Sequence, residues 1–307
     1  MPIGKRIILI FLIVLISCSA HAGEYKVAVI TSDSPLPYDE VIAGFKADLQ
    51  GMDIRLISVE GVGNRSTMAA KISAIRPDAI LCIGTKALES VSAIKNIPKI
   101  YCLITLSKAY SLADTQGVYG VVIDIPPAMQ FKIIKNAFPK VKRIGVIYNP
   151  KYSKKLIDEA EKSAHAMGLR VIGAQVHSIK DIPSALQKLE NGIDLLWSIY
   201  DQTVYGPETA KYILLFSLRK NIPFVGFSPQ FAKAGALLAV YGNYRDMGRQ
   251  AAFIAKKVLH NKEPEYRYPE YRYIEPRATG FAVNEKAARA LNVSFPENFL
   301  RTADKIY

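Results

Sequence analysis

The chain has 307 residues, half of them hydrophobic, and its 40 lysines and arginines against 27 aspartates and glutamates give a formal net charge of +13. A chain of this length is expected to form two domains, each able to bury a sizeable core. We interpret the charge as a solvated basic surface, or as a face for an anionic membrane or cell wall. No nucleic-acid partner is expected for an exported chain.

The pattern of the first 22 residues indicates an export signal, so these residues are not expected to be part of the fold. A basic start that ends at Arg6 is followed by an uninterrupted apolar run at 7–16, which is too short to span a membrane. The small residues at 20–22 fit cleavage by signal peptidase, whereas Cys18 equally fits the lipidation site of a lipoprotein. Residues 1–22 are therefore expected to be a signal peptide, and the mature chain is expected in the periplasm in one of these two forms.

From Glu24 onward, short β-branched apolar runs alternate with amphipathic stretches, which is the pattern of βαβ units on parallel sheets. The series runs from YKVAVI to KIYCLIT, pauses near 117–127, and starts again with RIGVIYN after Lys142. Two α/β lobes of similar size are therefore predicted. Cys82 and Cys102 lie inside apolar runs of the first lobe; export permits a disulfide between them, but two separate buried thiols are the simpler expectation.

Signatures of catalysis and of cofactor binding are missing. GFSPQ has the serine of a nucleophile elbow without the second glycine, and neither HExxH nor a Walker lysine loop occurs. GVGNRS at 61–66 lacks the last glycine of a dinucleotide fingerprint, and no acidic residue follows the next strand to hold a ribose. His165, His177 and His260 are far apart in the sequence. We therefore expect no enzyme activity, no cofactor and no metal site.

Polar side chains follow the ends of the predicted strands in both lobes. Open parallel sheets bind ligands outside the carboxyl ends of their strands, so a ligand is expected at these turns. The turns supply hydroxyls, an amide and a carboxylate, and the candidate ligand-binding residues are Ser34, Thr85, Thr105, Tyr152, Asp201, Gln202, Thr203 and Ser228.

For the two strongest ligand-binding candidates, a purely structural role is an alternative. Thr85 follows a strand directly and would start the next helix, where a ligand carboxylate is favoured, but it equally fits a plain helix N-cap. Asp201, at the end of a buried strand, suits a ligand ammonium group, or capping of the helix that starts near Pro207. Tyr152 and Tyr200 suit stacking on an apolar or aromatic ligand, or simply lining the interface between the lobes.

Several segments across 24–300 carry a resemblance through their order and spacing. They are PLPYDEVIAGFKADL, IGVIYNP, YDQTV, KNIPFVGFS, KAGALLAVYGNYRDMGRQAAFIAKKVL and VNEKAARALNVSFPENFL. With these segments the chain resembles the ABC-transporter substrate-binding proteins of the type I periplasmic fold, in the branch that includes tryptophan- and tyrosine-binding members.

The resemblance implies two Rossmann-like lobes with parallel sheets, joined by three hinge crossings, with a small ligand clamped between them. The crossings are expected at 123–127, 240–244 and 264–276. The N-terminal lobe would comprise residues 24–124 with 243–263, and the C-terminal lobe would comprise residues 125–242 with 264–307.

Carried over by position, Thr85 matches a hydroxyl that meets a ligand carboxylate, and Asp201 matches the aspartate of a turn usually written Asp-Asn-Thr. Gln202 replaces that asparagine, and Ser228 lies where contacts from the second lobe are expected. The family often has Thr-Asp-Pro where this chain has ITLSKA, and small residues where Lys86 stands. An amino acid or similar zwitterion is therefore only the default ligand.

The implied partners are a small-molecule ligand and an inner-membrane ABC permease that reads the closed form, and the protein is expected to be a monomer. One alternative is a ligand-sensing or scaffold protein of the same fold that acts without a transporter. A glycosyltransferase-like enzyme with two Rossmann lobes is a weaker alternative, because the chain carries an export signal and lacks the ribose-binding acid.

The repeat PEYRYPEYRY at 264–273 falls at the third expected crossing. Side chains alternate between the two faces of a strand, so Tyr266 and Tyr268 would share one face while Tyr271 and Tyr273 would share the other. One aromatic surface cannot carry all four unless Pro269 introduces a bulge. A structural role in the hinge is expected, with a docking surface for a partner as the alternative.

Overall fold

Strands and helices alternate along the chain and build two α/β lobes. The computed structural model describes residues 25–32, 38–49, 54–59, 65–112, 115–262, 266 and 272–307. The predicted signal peptide with Cys18, the candidate Ser34 and most of the PEYRYPEYRY repeat lie outside the described residues.

The strands are numbered β1 to β13 in chain order. Their bounds are Tyr25–Thr31, Ile54–Val59, Ala79–Ile83, Lys99–Ile104, Val118–Val122, Arg143–Tyr148, Arg170–Gln175, Leu195–Trp197, Phe224–Gly226, Leu238–Gly242, Tyr273–Ile274, Thr279–Val283 and Lys305–Ile306.

The α-helices are numbered α1 to α12, and a short 3-10 turn precedes α7. The bounds of the helices are Tyr38–Asp48, Arg65–Ile75, Thr85–Ser90, Leu106–Tyr110, Pro127–Ala137, Pro150–Ala166, Ile182–Leu189, Pro207–Arg219, Pro229–Ala234, Tyr244–Leu259, Glu285–Ala290 and Glu297–Leu300. Among these described helices, none is both long enough and apolar enough to cross a bilayer.

The first lobe is built on a parallel sheet with the strand order β11-β5-β4-β3-β1-β2. Every residue of β3 and β4 is buried. Helices cover both faces of such a sheet, so its central strands are continuous apolar runs rather than alternating ones. This explains why AILCI and KIYCLI could be identified as strands.

The second lobe is built on a mixed sheet with the strand order β13-β12-β10-β9-β8-β6-β7. Strands β6 to β10 pair with one another in parallel, whereas β12 runs antiparallel to β10 and extends the sheet beyond it. In both lobes the parallel strands place their carboxyl ends at one edge, and these two edges face each other across a cleft. This is the two-lobed fold of type I periplasmic binding proteins.

The chain passes between the two sheets three times. It leaves the first sheet after β5, returns after β10 through α10, which packs against α1, β4 and β5, and enters the second sheet again at β12. Residues 123–126, Asn243 and residues 275–278 connect these elements. The first two crossings fall inside the ranges that the resemblance implies.

The third connection lies later than expected. The resemblance implies that residues 264–307 belong to the C-terminal lobe, but β11 pairs with β5 in the first sheet. Tyr273 is only 2% exposed, and its ring lies edge-on to that of Tyr110 with the centroids 6.2 Å apart. Burial of this ring against the first lobe holds the end of the repeat there, so the chain crosses only after Ile274.

Helices α1 and α10 pack closely because each presents a glycine to the backbone of the other. A Cβ atom on Gly44 would lie 1.9 Å from the carbonyl oxygen of Arg245, and one on Gly248 would lie 2.1 Å from that of Val41. Any side chain at either position would therefore separate the two helices.

Cys82 and Cys102 are free, buried thiols. They lie on the adjacent strands β3 and β4, where Ile83 rather than Cys82 pairs with Cys102. Neighbouring residues in a strand point to opposite faces, so the two sulfurs lie in different hydrophobic layers and no disulfide joins them. Burial raises the pKa of each thiol to about 12, which keeps both protonated.

Candidate functional site

A cavity of about 420 Å³ lies in the cleft between the lobes. Its walls come from the first turns that follow the carboxyl ends of strands in both sheets. The lining residues are Thr85, Glu89, Thr105, Ser107, Lys108, Ser111, Tyr152, Tyr200, Asp201, Gln202, Tyr205 and Phe227. Five of the residues proposed from the sequence are therefore brought together here: Thr85, Thr105, Tyr152, Asp201 and Gln202.

The hydroxyl of Thr85 is not used to cap a helix, so the structural alternative for this residue is wrong. Gly84 occupies the N-cap position of α3, and Thr85 is the first helical residue. The capping acceptor comes from another strand, because Ser32 Oγ at the end of β1 accepts a hydrogen bond of 2.8 Å from the Ala87 N–H. Thr85 therefore lines the cleft, and its hydroxyl makes no hydrogen bond within the part of the chain that the structure describes.

The hydroxyl of Thr105 is likewise not used to cap a helix. Thr105 is the N-cap residue of α4, but its side chain makes no capping hydrogen bond. Asp124 Oδ2 accepts from the Leu106 N–H at 2.6 Å instead, and Thr105 Oγ1 lies 3.2 Å from Ser107 Oγ. The first-lobe wall thus presents a group of hydroxyls whose helix ends are capped from elsewhere.

An ion pair crosses the same wall. Lys108 Nζ donates to Glu89 Oε1 at 2.6 Å, which joins α4 to α3 beside the hydroxyls. Both side chains are partly exposed, so water screens the pair and its contribution to stability is small. Sequence reasoning missed both residues because it searched only the turns directly after the strands, whereas α3 and α4 are so short that their second turns also border the cleft.

The carboxylate of Asp201 is buried and has three partners within its own lobe. Oδ2 accepts from the Asn149 N–H at 2.8 Å and from Ser153 Oγ at 2.7 Å, and Oδ1 accepts from the Thr203 N–H at 2.9 Å. Asp201 thereby fastens the start of α6 to the turn after β8. It does not cap α8, whose N-cap is Gly206, so that alternative is also wrong.

Two proposed residues lie away from the cavity. Thr203 Oγ1 accepts a hydrogen bond of 3.0 Å from Asn149 Nδ2, which places this hydroxyl in the support beneath the turn. Ser228 is 7% exposed and lines a separate apolar groove between α8 and α9. The residue directly before it, Phe227, takes the position in the cleft that sequence reasoning gave to Ser228.

The second-lobe wall is aromatic. Tyr200 and Phe227 have ring centroids 4.1 Å apart, and the Tyr200 hydroxyl donates to the Phe227 carbonyl at 3.1 Å. Tyr205 lies edge-on to Phe227 at 5.6 Å, and Tyr152 completes the wall. Desolvation raises the pKa of Tyr205, and the negative charge of Asp201 raises it further. This phenol therefore stays neutral. Its buried oxygen has no hydrogen-bond partner among the described residues.

A further cavity of about 390 Å³ lies between the end of β10, the start of α10 and the last residues of the chain. It contains none of the residues proposed from the sequence, and its acids Glu40 and Asp304 are balanced by Lys233 and Lys305. Within the described ranges, no three side chains of His, Cys, Asp or Glu are grouped so that they would hold a metal ion. The interlobe cleft is therefore the candidate site.

Two solved structures show the same fold as this protein. The complex of an ABC domain from Streptococcus pneumonia with L-Trp is 22% identical, with a TM-score of 0.63 over 93% of this chain and 100% of that one. The ligand-free, open structure of a substrate binding protein with adhesive properties from Clostridium difficile is 21% identical, with a TM-score of 0.69 over 92% of this chain and 98% of that one.

Sequence comparison assigns the family. A tyrosine-binding protein of Clostridioides difficile (strain R20291) is 24% identical over 204 residues, which are 64% of this chain and only 59% of that protein. The model of the family described as ABC transporter substrate binding protein matches residues 26–307, which is nearly the whole of the chain. The protein therefore belongs to the family of ABC transporter substrate binding proteins.

Proposed function

We propose that this protein is the solute-binding component of an ABC importer, exported to the periplasm, and that it clamps an amino acid or similar zwitterion between its lobes. The observation that carries the proposal is the cleft itself, where hydroxyls and an ion pair on one wall face an aromatic wall on the other. A monomer that closes by hinge motion would present its closed form to an inner-membrane permease.

Each wall suits a different part of such a ligand. The hydroxyls of Thr85 and Thr105, with Lys108 beside them, suit a carboxylate, since hydrogen bonds to a charged acceptor are the strong ones. The rings of Tyr152, Tyr200 and Phe227 suit a flat apolar side chain. Gln202 and Asp201 supply polar groups at the edge of the second wall, and Ser34 remains a proposed contact from the first lobe.

Binding of amino acids by the mature chain is the test. L-Tyrosine and L-tryptophan are the first probes, because similar proteins bind them. Thermal shift and titration calorimetry would be run on the chain that starts after Ala22, since a ligand at 100 times its dissociation constant adds about 2.7 kcal/mol of stability. Selective binding of one amino acid supports the proposal, and no shift with any amino acid rejects it.

A matched pair of variants tests the cleft. Thr85→Val should weaken binding at least about tenfold, because a hydrogen bond to a charged group contributes about 1.5–3 kcal/mol. Thr279→Val makes the same change on β12, outside the cleft, and should leave affinity unchanged. Equal effects of the two substitutions would remove Thr85 from the site. Uptake of the bound solute that is unchanged when this protein is deleted would favour a sensor or scaffold role.

A further inference from the structure

Asp124 is a buried carboxyl in the first crossing between the lobes. It lies between β5 and α5, and only 7% of its surface is exposed. Oδ2 accepts the Leu106 N–H at 2.6 Å, directly after Thr105 of the cleft wall. This carboxyl therefore lies beside the candidate site although sequence reasoning did not single it out.

Within the described ranges, the charge of this carboxyl is not compensated. Among the described residues no Lys, Arg or His forms an ion pair with it, and the charged group that acts on it from the third crossing is another acid, Glu275. Burial raises the pKa of Asp124 to about 7, while the N–H groups of Leu106 and of Asp124 itself act in the opposite direction and Glu275 adds to the rise. From the second lobe it faces the phenol of Tyr200, which is neutral.

A small chamber adjoins Asp124. Its volume is about 10 Å³, close to the space that one water-sized group needs, and Asp124, Gln130 and Ser198 contribute polar groups to it. Tyr200 and Phe227 line both this chamber and the cleft, so the chamber adjoins the cleft at the aromatic wall. An ammonium group at the end of a larger ligand has the size that fits.

The other carboxylates of the cleft are already engaged. Asp201 accepts three hydrogen bonds from its own lobe, and Glu89 is paired with Lys108. Asp124 differs because, of the residues that the structure describes, only backbone N–H groups are bound to it. An uncompensated charge is unfavourable in such a buried place. A cation brought by a ligand would supply the missing charge.

We propose that Asp124 is the counter-ion for an alkylammonium group of the ligand, which occupies the chamber that adjoins the cleft. The inference rests on the proposed function in that the ligand must enter this cleft. Ser198 Oγ, which already donates to the Val225 carbonyl, and the phenol oxygen of Tyr200 are further acceptors for the remaining N–H groups. When the ammonium binds, Asp124 becomes ionised and its proton passes to solvent.

Three probes separate the charged groups of the ligand. L-Tryptophan carries both an ammonium and a carboxylate, tryptamine carries only the ammonium, and indole-3-propionate carries only the carboxylate. Calorimetry on the mature chain would compare wild type with Asp124→Asn, which keeps an oxygen to accept the Leu106 N–H. Asp78→Asn, an exposed position at the opposite end of the first sheet, makes the same change in charge as a control.

Asp124→Asn should weaken binding of L-tryptophan and of tryptamine at least about thirtyfold, as expected when a buried charge pair loses one partner. Binding of indole-3-propionate should not weaken, and Asp78→Asn should behave as wild type. In wild type, the affinity for L-tryptophan should be about tenfold lower at pH 6 than at pH 8, because protonated Asp124 cannot pair with the ammonium. Asp124→Asn should lose this pH dependence.

The outcomes separate this inference from the proposed function. Binding of tryptamine without binding of L-tryptophan would reject the amino-acid ligand and leave the role of Asp124 intact. Equal binding of L-tryptophan and indole-3-propionate, or an unchanged affinity of Asp124→Asn for L-tryptophan, would overturn the role of Asp124 while a solute still binds. Binding of none of the three probes, together with no shift by any other amino acid, would overturn both.

Discussion

Lys155 of the second lobe lies over the ring of Tyr110 in the first lobe, with its Nζ 4.4 Å from the ring centroid. Tyr110 in turn packs edge-on against Tyr273, the last tyrosine of the PEYRYPEYRY repeat. The two helices that carry Lys155 and Tyr110 belong to different lobes, so this contact exists only while the lobes keep the arrangement described here. It links the end of the repeat to the relative position of the lobes.

A double-mutant cycle on Lys155 and Tyr110 should show a coupling of about 0.5–1 kcal/mol, the size of a cation–π contact at an exposed site. Lys155→Met, Tyr110→Leu and the double variant would be compared by urea denaturation. Lys154→Met is the control, because Lys154 pairs with Asp158 on its own helix. A coupling within error of zero would contradict an energetic link across the lobes.

Asp201→Ala should destabilise the ligand-free protein by about 3 kcal/mol. The substitution removes the acceptor of three hydrogen bonds and leaves the buried N–H of Asn149 without its partner. Ser153→Ala removes only one of these bonds and should cost about 1 kcal/mol. Both free energies of unfolding would be measured by guanidinium denaturation without ligand. If Asp201 served the ligand alone, its replacement would lower affinity but leave the unfolding midpoint unchanged.

Gly248→Ala should destabilise the first lobe by about 1–3 kcal/mol or more, because the added methyl group meets the Val41 carbonyl across the contact between α1 and α10. Backbone atoms cannot move aside as the end of a side chain can. Gly192→Ala is the matched control, since its nearest atom would be 3.7 Å from the new Cβ. Equal midpoints of thermal unfolding for the two variants would show that the helices separate easily.

The pH dependence of stability should report on Asp124. An unfolded aspartate has a pKa of 3.8, whereas burial raises the pKa of Asp124 to about 7 in the folded protein. Between these values the folded protein holds a proton that the unfolded chain has lost, so its stability should fall as the pH rises, by at most about 1.4 kcal/mol per unit. Asp124→Asn should remove this contribution and be more stable than wild type above pH 7. A parallel pH profile for the two proteins would contradict the burial of this acid.

The alternation of strands and helices could be predicted because the central strands of each sheet are buried on both faces and are therefore continuous apolar runs. The predicted fold class was confirmed. Tyr273 was expected in a strand of the third crossing, whereas it forms β11 at the edge of the first sheet, and two residues are too few to form a pattern that shows this pairing. The place of β11 depends on the packing of the Tyr273 ring, which only the assembled lobe provides. The pause seen near 117–127 contains β5, in which Gly120 lies against the Tyr101 ring and interrupts the apolar run.

The part of the candidate site that directly follows the strands was predictable, because open parallel sheets bind ligands outside the carboxyl ends of their strands. That rule placed Thr85, Thr105 and Asp201 at the cleft, but it could not tell which side chains are already engaged. Ser32 caps α3 and Asp124 caps α4 across long stretches of sequence, which leaves the two threonines available. Such pairings arise only when the strands lie side by side. Asp124 showed no signal in the sequence either, because an acid two residues before a pair of prolines resembles an ordinary turn.

The pairing of α1 with α10 also sets an order of events during synthesis. Helix α1 is among the first elements to be made, but the glycine-to-backbone surface that covers it belongs to the last long helix of the chain. The N-terminal lobe therefore cannot finish folding as a nascent unit, and contacts of such long sequence separation form slowly. Its apolar face must stay uncovered until nearly the entire chain has emerged, so a chaperone that binds the nascent chain would meet this unfinished lobe.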